Sequence, residues 1–428
     1  MRTSTVVRRS AFSGAAALLA CGLWNSVKPM PPGTHISSLP VRLADPQAQF
    51  LDEDLHPGTI GRHEVEAVAR AERTIVLERC PLRPDLADAL LLRKRQRPTI
   101  KIMLLTDPRD RAGDGTPPRL LSALERAGVV VVRTQLDRLR DPDPYYSSLW
   151  RLTVAWWSSP FEETRSAAST LSALRRRNHK TDDRALLVAD DGIGGWTSIV
   201  LSAAAPSIGM ALHTQLARDI VLSVLQVAAW STDDDRLPAP PPVENHGVGT
   251  IDARLLTEGA IGHALRDSVA AAGRGDSIDI DSAALDDWPL IEALTAAAAR
   301  GAGIRLMLDP TLRRTRAAAG AVIRGRNIQV RWAVPSARDG AQLAIFRHFT
   351  DVWMYVGSAG LTRSTLEDFN LAADVELHMP HSAGAAHDAG EFFERQWAMS
   401  VPYADYAYAS TDSYYRYRLE AATGLNLF

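Results

Sequence analysis

Cysteine is almost missing. Cys21 and Cys80 are the two in 428 residues, and modification of one would leave no intramolecular disulfide. Positive charge is not in excess: 48 Lys and Arg stand against 50 Asp and Glu, a formal net charge of -2. A nucleic-acid partner recognised through bulk basic charge is therefore not expected. A long apolar run is lacking too. The apolar stretch from Ala15 to Ala20 is too short for a convincing membrane span. What remains is a globular composition, 46% hydrophobic and 23% charged. Arg dominates the basic residues and Ala-rich helical stretches recur, as in proteins from GC-rich bacterial genomes.

The N-terminus reads as an export signal. Arg2, Arg8 and Arg9 form a basic region, Ala15 to Ala20 an apolar one, and Leu18-Leu19-Ala20-Cys21 matches a bacterial lipoprotein cleavage box. The expectation is a signal peptide over 1–21, acylation at Cys21, and a Pro- and Ser-rich tether over 22–48. A chain so anchored sits in the bacterial cell envelope, on the periplasmic side of a membrane. Cys80 ends the apolar run from Thr74 and reads as a buried strand residue.

A second break lies at 232–246, where Asp233-Asp234-Asp235 runs into the Pro-rich segment Pro238 to Pro242. It separates 49–231 from 247–428, and the two parts repeat one pattern. Helices over His63 to Ala71 and Ile261 to Ala272 precede the strands Thr74 to Glu78 and Ser277 to Asp281. Helices over Asp85 to Arg95 and Pro289 to Arg300 precede strands ending in Asp107-Pro108 and Asp309-Pro310. A further helix and strand follow each time. Short strands alternating with helices predict α/β layers around a mixed sheet in each half.

The last strands of each half carry a family resemblance. Gly357-Ser358-Ala359-Gly360-Leu361-Thr362-Arg363 and Asn370-Leu371-Ala372-Ala373-Asp374 follow the strand Leu343 to Phe346. Asp182-Asp183-Arg184-Ala185 leads into Leu186 to Asp190, and Trp196 leads to Ser202-Ala203-Ala204. This resembles the phospholipase D superfamily, with its H-x-K-x-x-x-x-D strand, G-S-A-N turn and N-L-E-x-D segment. The resemblance implies two similar α/β halves related by a pseudo-two-fold axis. It implies one site where the halves meet, a His nucleophile, a His acid, and two Lys that hold the phosphate. It implies neither cofactor nor metal.

The residues that do this chemistry are replaced. The His and Lys positions are Asp183 and Ala185 in the first half, Gly340 and Gln342 in the second. The Asn positions are Ala204 and Gly360, and the Glu position is Ala372. Asp183 sets a carboxylate where a phosphate would bind, and side-chain alternation directs its neighbour Arg184 to the other face. Asp190, Ser202, Ser358 and Asn370 remain as residual cleft positions. The expectation is a pseudoenzyme that binds lipid headgroups or a protein partner, with no nucleic acid. The alternative is an active phospholipase D or phosphatidyltransferase of cardiolipin-synthase type, needing a residue such as His179 from outside the motif. The Trp-rich insert Tyr145 to Phe161 is expected over the cleft as a helix, or facing a membrane. The triple Arg175 to Arg177 and the trio His378, His381 and His387 read as solvated surface.

Overall fold

A computed structural model describes residues 16–79, 81–107, 116–154, 180–202, 207–242, 247–323, 327–334, 341–403 and 419. Cys80, Ala204, Gly340, His179 and Arg175 to Arg177 lie outside the described residues.

Each half is a mixed sheet flanked by helices. The first contains β2 (Ala48–Asp52), β3 (Thr74–Glu78), β4 (Lys101–Thr106), β5 (Val130–Arg133), β6 (Leu186–Asp190), β7 (Trp196–Leu201) and β8 (Ile208–His213), in the order β2-β8-β7-β6-β3-β4-β5. The second contains β9 (Ile251–Thr257), β10 (Ser277–Ser282), β11 (Gly303–Leu308), β12 (Ile328–Trp332), β13 (Leu343–Arg347), β14 (Asp351–Gly357) and β15 (Ala373–Pro380). Their order, β9-β15-β14-β13-β10-β11-β12, repeats that of the first sheet strand for strand. Glu78 pairs with Leu186 as Asp281 pairs with Leu343, so the two motif strands also share one register.

Two further strands extend the second sheet to nine: β1 (Val41–Leu43) on β9 and β16 (Val401–Pro402) on β12. β1 belongs to the stretch expected as a tether. That stretch is docked: Val41 pairs with Ala253, and Ser38 donates its backbone N–H to Leu255. A short extended run finds an open sheet edge, and pairing there satisfies its backbone groups.

The central strands are buried on both faces, which their continuous Leu, Ile, Val and Ala runs require. In the first half Ile75, Leu77, Leu187 and Ala189 face the helices α1 (Thr59–Arg70) and α2 (Pro84–Gln96). The alternate residues Val76, Leu186 and Val188 face the other way. They join Leu343, Ile345, Val356 and Val375 of the second sheet in one core. After α3 (Pro118–Arg126) and α4 (Pro144–Leu149), helix α5 (Leu216–Ser231) also enters this shared core. α6 (Gly259–Ala271) and α7 (Trp288–Arg300) cover the second sheet, with α8 (Arg313–Val322), α9 (Arg363–Leu366) and α10 (Gly384–Met399) after them. The ends of α7 follow from sequence. Asp287 accepts the Leu290 N–H at one end, and Gly301 takes a left-handed φ of 105° at the other.

Candidate functional site

The halves meet at the motif segments. Asp183 N–H donates to Leu371 O at 2.9 Å, and Leu371 N–H donates to Thr181 O at 2.9 Å. The retained Asn370 accepts the Thr181 N–H through Oδ1 at 3.1 Å. The Asp107 that ends β4 accepts the Asp182 N–H at 3.0 Å, which gives the Asp-Pro signal of the first half a structural task. The first-half motif loop is thus held across the junction at Thr181 and Asp183 and within its own half at Asp182.

Side chains at the replaced positions are occupied by structure. Asp183 Oδ2 accepts the Thr181 hydroxyl at 2.6 Å. Ala185 is buried on the helix side of the first sheet. Gln342 Oε1 accepts the Ser282 hydroxyl at 2.7 Å. Ala372 is fully buried, and its N–H donates to Glu258. Ser202 and Ser358 end β7 and β14 beside the motif loops. The Ser358 hydroxyl accepts the Ala373 N–H at 3.1 Å.

Asp190 accepts the N–H groups of Glu72, Arg73 and Thr74 at the far end of β6, where it braces the start of β3. Seven residues of extended chain put it roughly 20 Å along the strand from Asp183. The matching position in the second half is Arg347, paired with Asp279.

The centre of the junction holds what sequence reasoning did not anticipate. Arg184 points away from Asp183, as alternation requires, and enters the space between the sheets. Its Nε and Nη2 reach Glu258 Oε1 of the second half at 3.0 and 2.7 Å. Nη1 donates to the Ser223 hydroxyl at 3.0 Å and lies 3.5 Å from Glu78 Oε2. Nη2 also donates to Gly33 O at 3.0 Å. Arg184, Glu78 and Glu258 are all fully buried. Burial pushes the Glu78 carboxyl up, and burial with the Glu78 charge pushes Asp182 well up. Glu78 Oε1 and Asp182 Oδ1 are buried with no hydrogen-bond partner among the described residues. The only advance signal was an Arg and a Glu inside otherwise apolar strand ends.

A second acidic group lies at the matching place in the other half. Burial raises Asp281 well above the usual carboxylate range and raises Asp374 to about 7. Asp374 accepts the Ala359 N–H at 3.0 Å. The cavity lined by Asp281, Gln342, Tyr355 and Asp374 is about 10 Å³, room for a single water at most.

Other histidines take structural places. His378 is on β15, not in a loop; it stacks on Trp353 and pairs with Asp351 at 2.9 Å. His381 bonds to His348 O, and His387 pairs with Glu391 on α10. Lys180 is buried against Asp141 at 2.6 Å, and burial lowers its pKa to about 8.

Neither a family model nor a curated protein matches the chain. Solved structures do. The phosphatidylserine synthase of Haemophilus influenzae Rd KW20 superposes with a TM-score of 0.57 at 10% identity, over 90% of this chain and 95% of that one. A polyphosphate kinase from Porphyromonas gingivalis gives 0.49 at 13% identity, over 84% of this chain and 48% of that one, so this chain spans about half the kinase. Nuc from Salmonella typhimurium, a phospholipase D family member, gives 0.31 at 17% identity, over 35% of this chain and 98% of that one.

Proposed function

We infer that this chain, whose fold is that of the phospholipase D superfamily, works in the bacterial envelope as a non-catalytic protein that binds lipid headgroups or a protein partner. The observation that carries the reading is the state of the junction. Asp183, Ala185 and Gln342 supply neither nucleophile nor phosphate-binding cation, and Arg184 is committed to buried carboxylates. Losing one general acid-base group costs about 10²–10⁴ in rate, and losing the nucleophile removes this route altogether.

Placement in the envelope rests on the cleavage box ending at Cys21, which is exposed. Among the described residues no helix is long and apolar enough to cross a membrane. Anchoring would then fall to the acylated cysteine and to surface contacts. Mass spectrometry of the protein from membranes tests this: Cys21→Ala should remove the lipid and leave the precursor unprocessed.

The activity test uses phosphatidylglycerol and phosphatidylcholine as substrates, with alkaline detergent quenching to trap phosphohistidine. No turnover and no trapped adduct are expected. Turnover abolished by His179→Ala would replace this reading with that of an active phospholipase D or phosphatidyltransferase.

A further inference from the structure

We propose that the face built from residues 21–27 and 144–152 lies on a bilayer containing anionic phospholipid, and that the pocket at its rim receives a lipid phosphate. This deepens the headgroup reading above and rests on it, but it moves the lipid away from the motif junction.

The helical segment 16–27 packs on α4 and the π-helical turn Trp150–Val154 after it. Gly22 and Asn25 turn inward. A Cβ on Gly22 would fall 1.9 Å from Pro144 O, and Asn25 O accepts the Asp141 N–H at 3.0 Å. Ser148 donates its hydroxyl to Leu18 O. With Gly22 and Asn25 facing in, the residues between and beyond them face out. Leu23, Trp24 and Val27 are 50%, 62% and 68% exposed, and Tyr145 and Leu152, on the element this segment packs against, are 53% and 61% exposed. Large apolar and amphipathic aromatic side chains gathered on one face suit the lipid–water boundary.

Chain continuity selects a bilayer as the occupant. The segment bearing this face continues directly from Ala15 to Ala20 and the basic Arg2, Arg8 and Arg9, and it carries exposed Cys21. Whatever holds that leader or its acylated cysteine in a membrane brings this face to the same surface.

The rim adds the headgroup. A pocket of about 440 Å³ opens between Leu23 and Val27 on one side and Arg140, Arg266 and Arg363 on the other. Its lining sets those three arginines beside Glu367 and Asp368. Arg140 pairs with Asp368 at 2.7 Å and Arg363 with Glu367 at 2.8 Å. Arg266 pairs with Asp287 at 3.2 Å. Each arginine is matched by one carboxylate, and the guanidinium edges that stay part-exposed are the donors a lipid phosphate would take.

The test uses the chain from residue 21 onward carrying Cys21→Ser, so that neither the leader nor an acyl chain contributes. Flotation is measured with vesicles of phosphatidylcholine alone and of phosphatidylcholine mixed with phosphatidylglycerol. Binding should be stronger to the mixed vesicles. Trp24→Ser with Leu152→Ser should weaken it about tenfold, the effect of removing roughly 1.4 kcal/mol of apolar contact. Arg363→Gln should erase the preference for mixed vesicles. Unchanged melting curves show that these exposed substitutions leave the fold intact. No flotation with either vesicle overturns the proposal and leaves a protein partner as the occupant. Flotation untouched by the apolar double change places the lipid elsewhere, and equal binding to both vesicles overturns the phosphate pocket. Phospholipid turnover by the same preparation would sink the non-catalytic reading while leaving the flotation result standing.

Discussion

Arg184 of the first half and Glu258 of the second form a fully buried ion pair, Nη2 to Oε1 at 2.7 Å, at the centre of the junction. Nearby carboxylates hold the guanidinium pKa above its ordinary value despite burial. Arg184→Ala should leave Glu258 and Glu78 buried without their cation. Breaking a buried pair from one side costs about 3–5 kcal/mol. Urea denaturation should report a loss of that size, with much less lost in the paired change Arg184→Met with Glu258→Gln. A cost below about 1 kcal/mol for Arg184→Ala would mean that water reaches the junction.

Stability should depend on pH through Asp374. Burial is the first cause of its raised pKa, about 7 in the fold against an ordinary 3.8. The folded state therefore binds more protons than the unfolded chain between these values. Its contribution is fully present below about pH 4, declines as pH rises, and is gone above about 7. The span corresponds to about 4 kcal/mol at most. Asp374→Asn should flatten this part of the curve, read as the difference in melting temperature between mutant and parent from pH 4 to 8. Parallel curves would show that Asp374 titrates normally.

Ala185 is packed among Leu187, Ala189 and Leu201 on the helix side of the first sheet. Ala185→Lys, which restores the motif residue type, should bury an ammonium in this apolar layer. A loss of several kcal/mol is expected, and calorimetry should show no tungstate binding either before or after the change. Tight tungstate binding by the unaltered protein would overturn this account of the junction.

Gly22→Val should detach the segment 16–27, because its side chain would meet Pro144 O. Trypsin cleavage after Lys28 should accelerate several-fold, while the melting temperature of the remainder changes little. Unchanged protection of Lys28 would show that the segment packs differently.

The duplicated strand order was readable because strand and helix periods, and the paired Asp-Pro steps, are local signals. The motif positions Asp183, Ala185 and Gln342 were assigned from an equally local signal, by counting along the two motif strands. The junction was not. Arg184 meets Glu258 and Glu78 across separations of 74 and 106 residues, and nothing near Glu258 marks it as a buried partner. Val41 to Leu43 was hidden by brevity. Three extended residues among Pro and Ser carry no period, and only an unpaired edge elsewhere makes them a strand.

That strand changes what a cut means. The chain leaves the edge of one sheet at Leu43 and enters the edge of the other at Ala48, so its N-terminal side is woven into both. A nick in the Pro-rich stretch 238–242 would not release two separable particles. The N-terminal fragment would still hold three residues of its partner's sheet, and the C-terminal fragment made alone would present β9 as a naked edge. Like a strap stitched to both flaps, the crossing makes the molecule indivisible at the one place where its sequence looks easiest to divide.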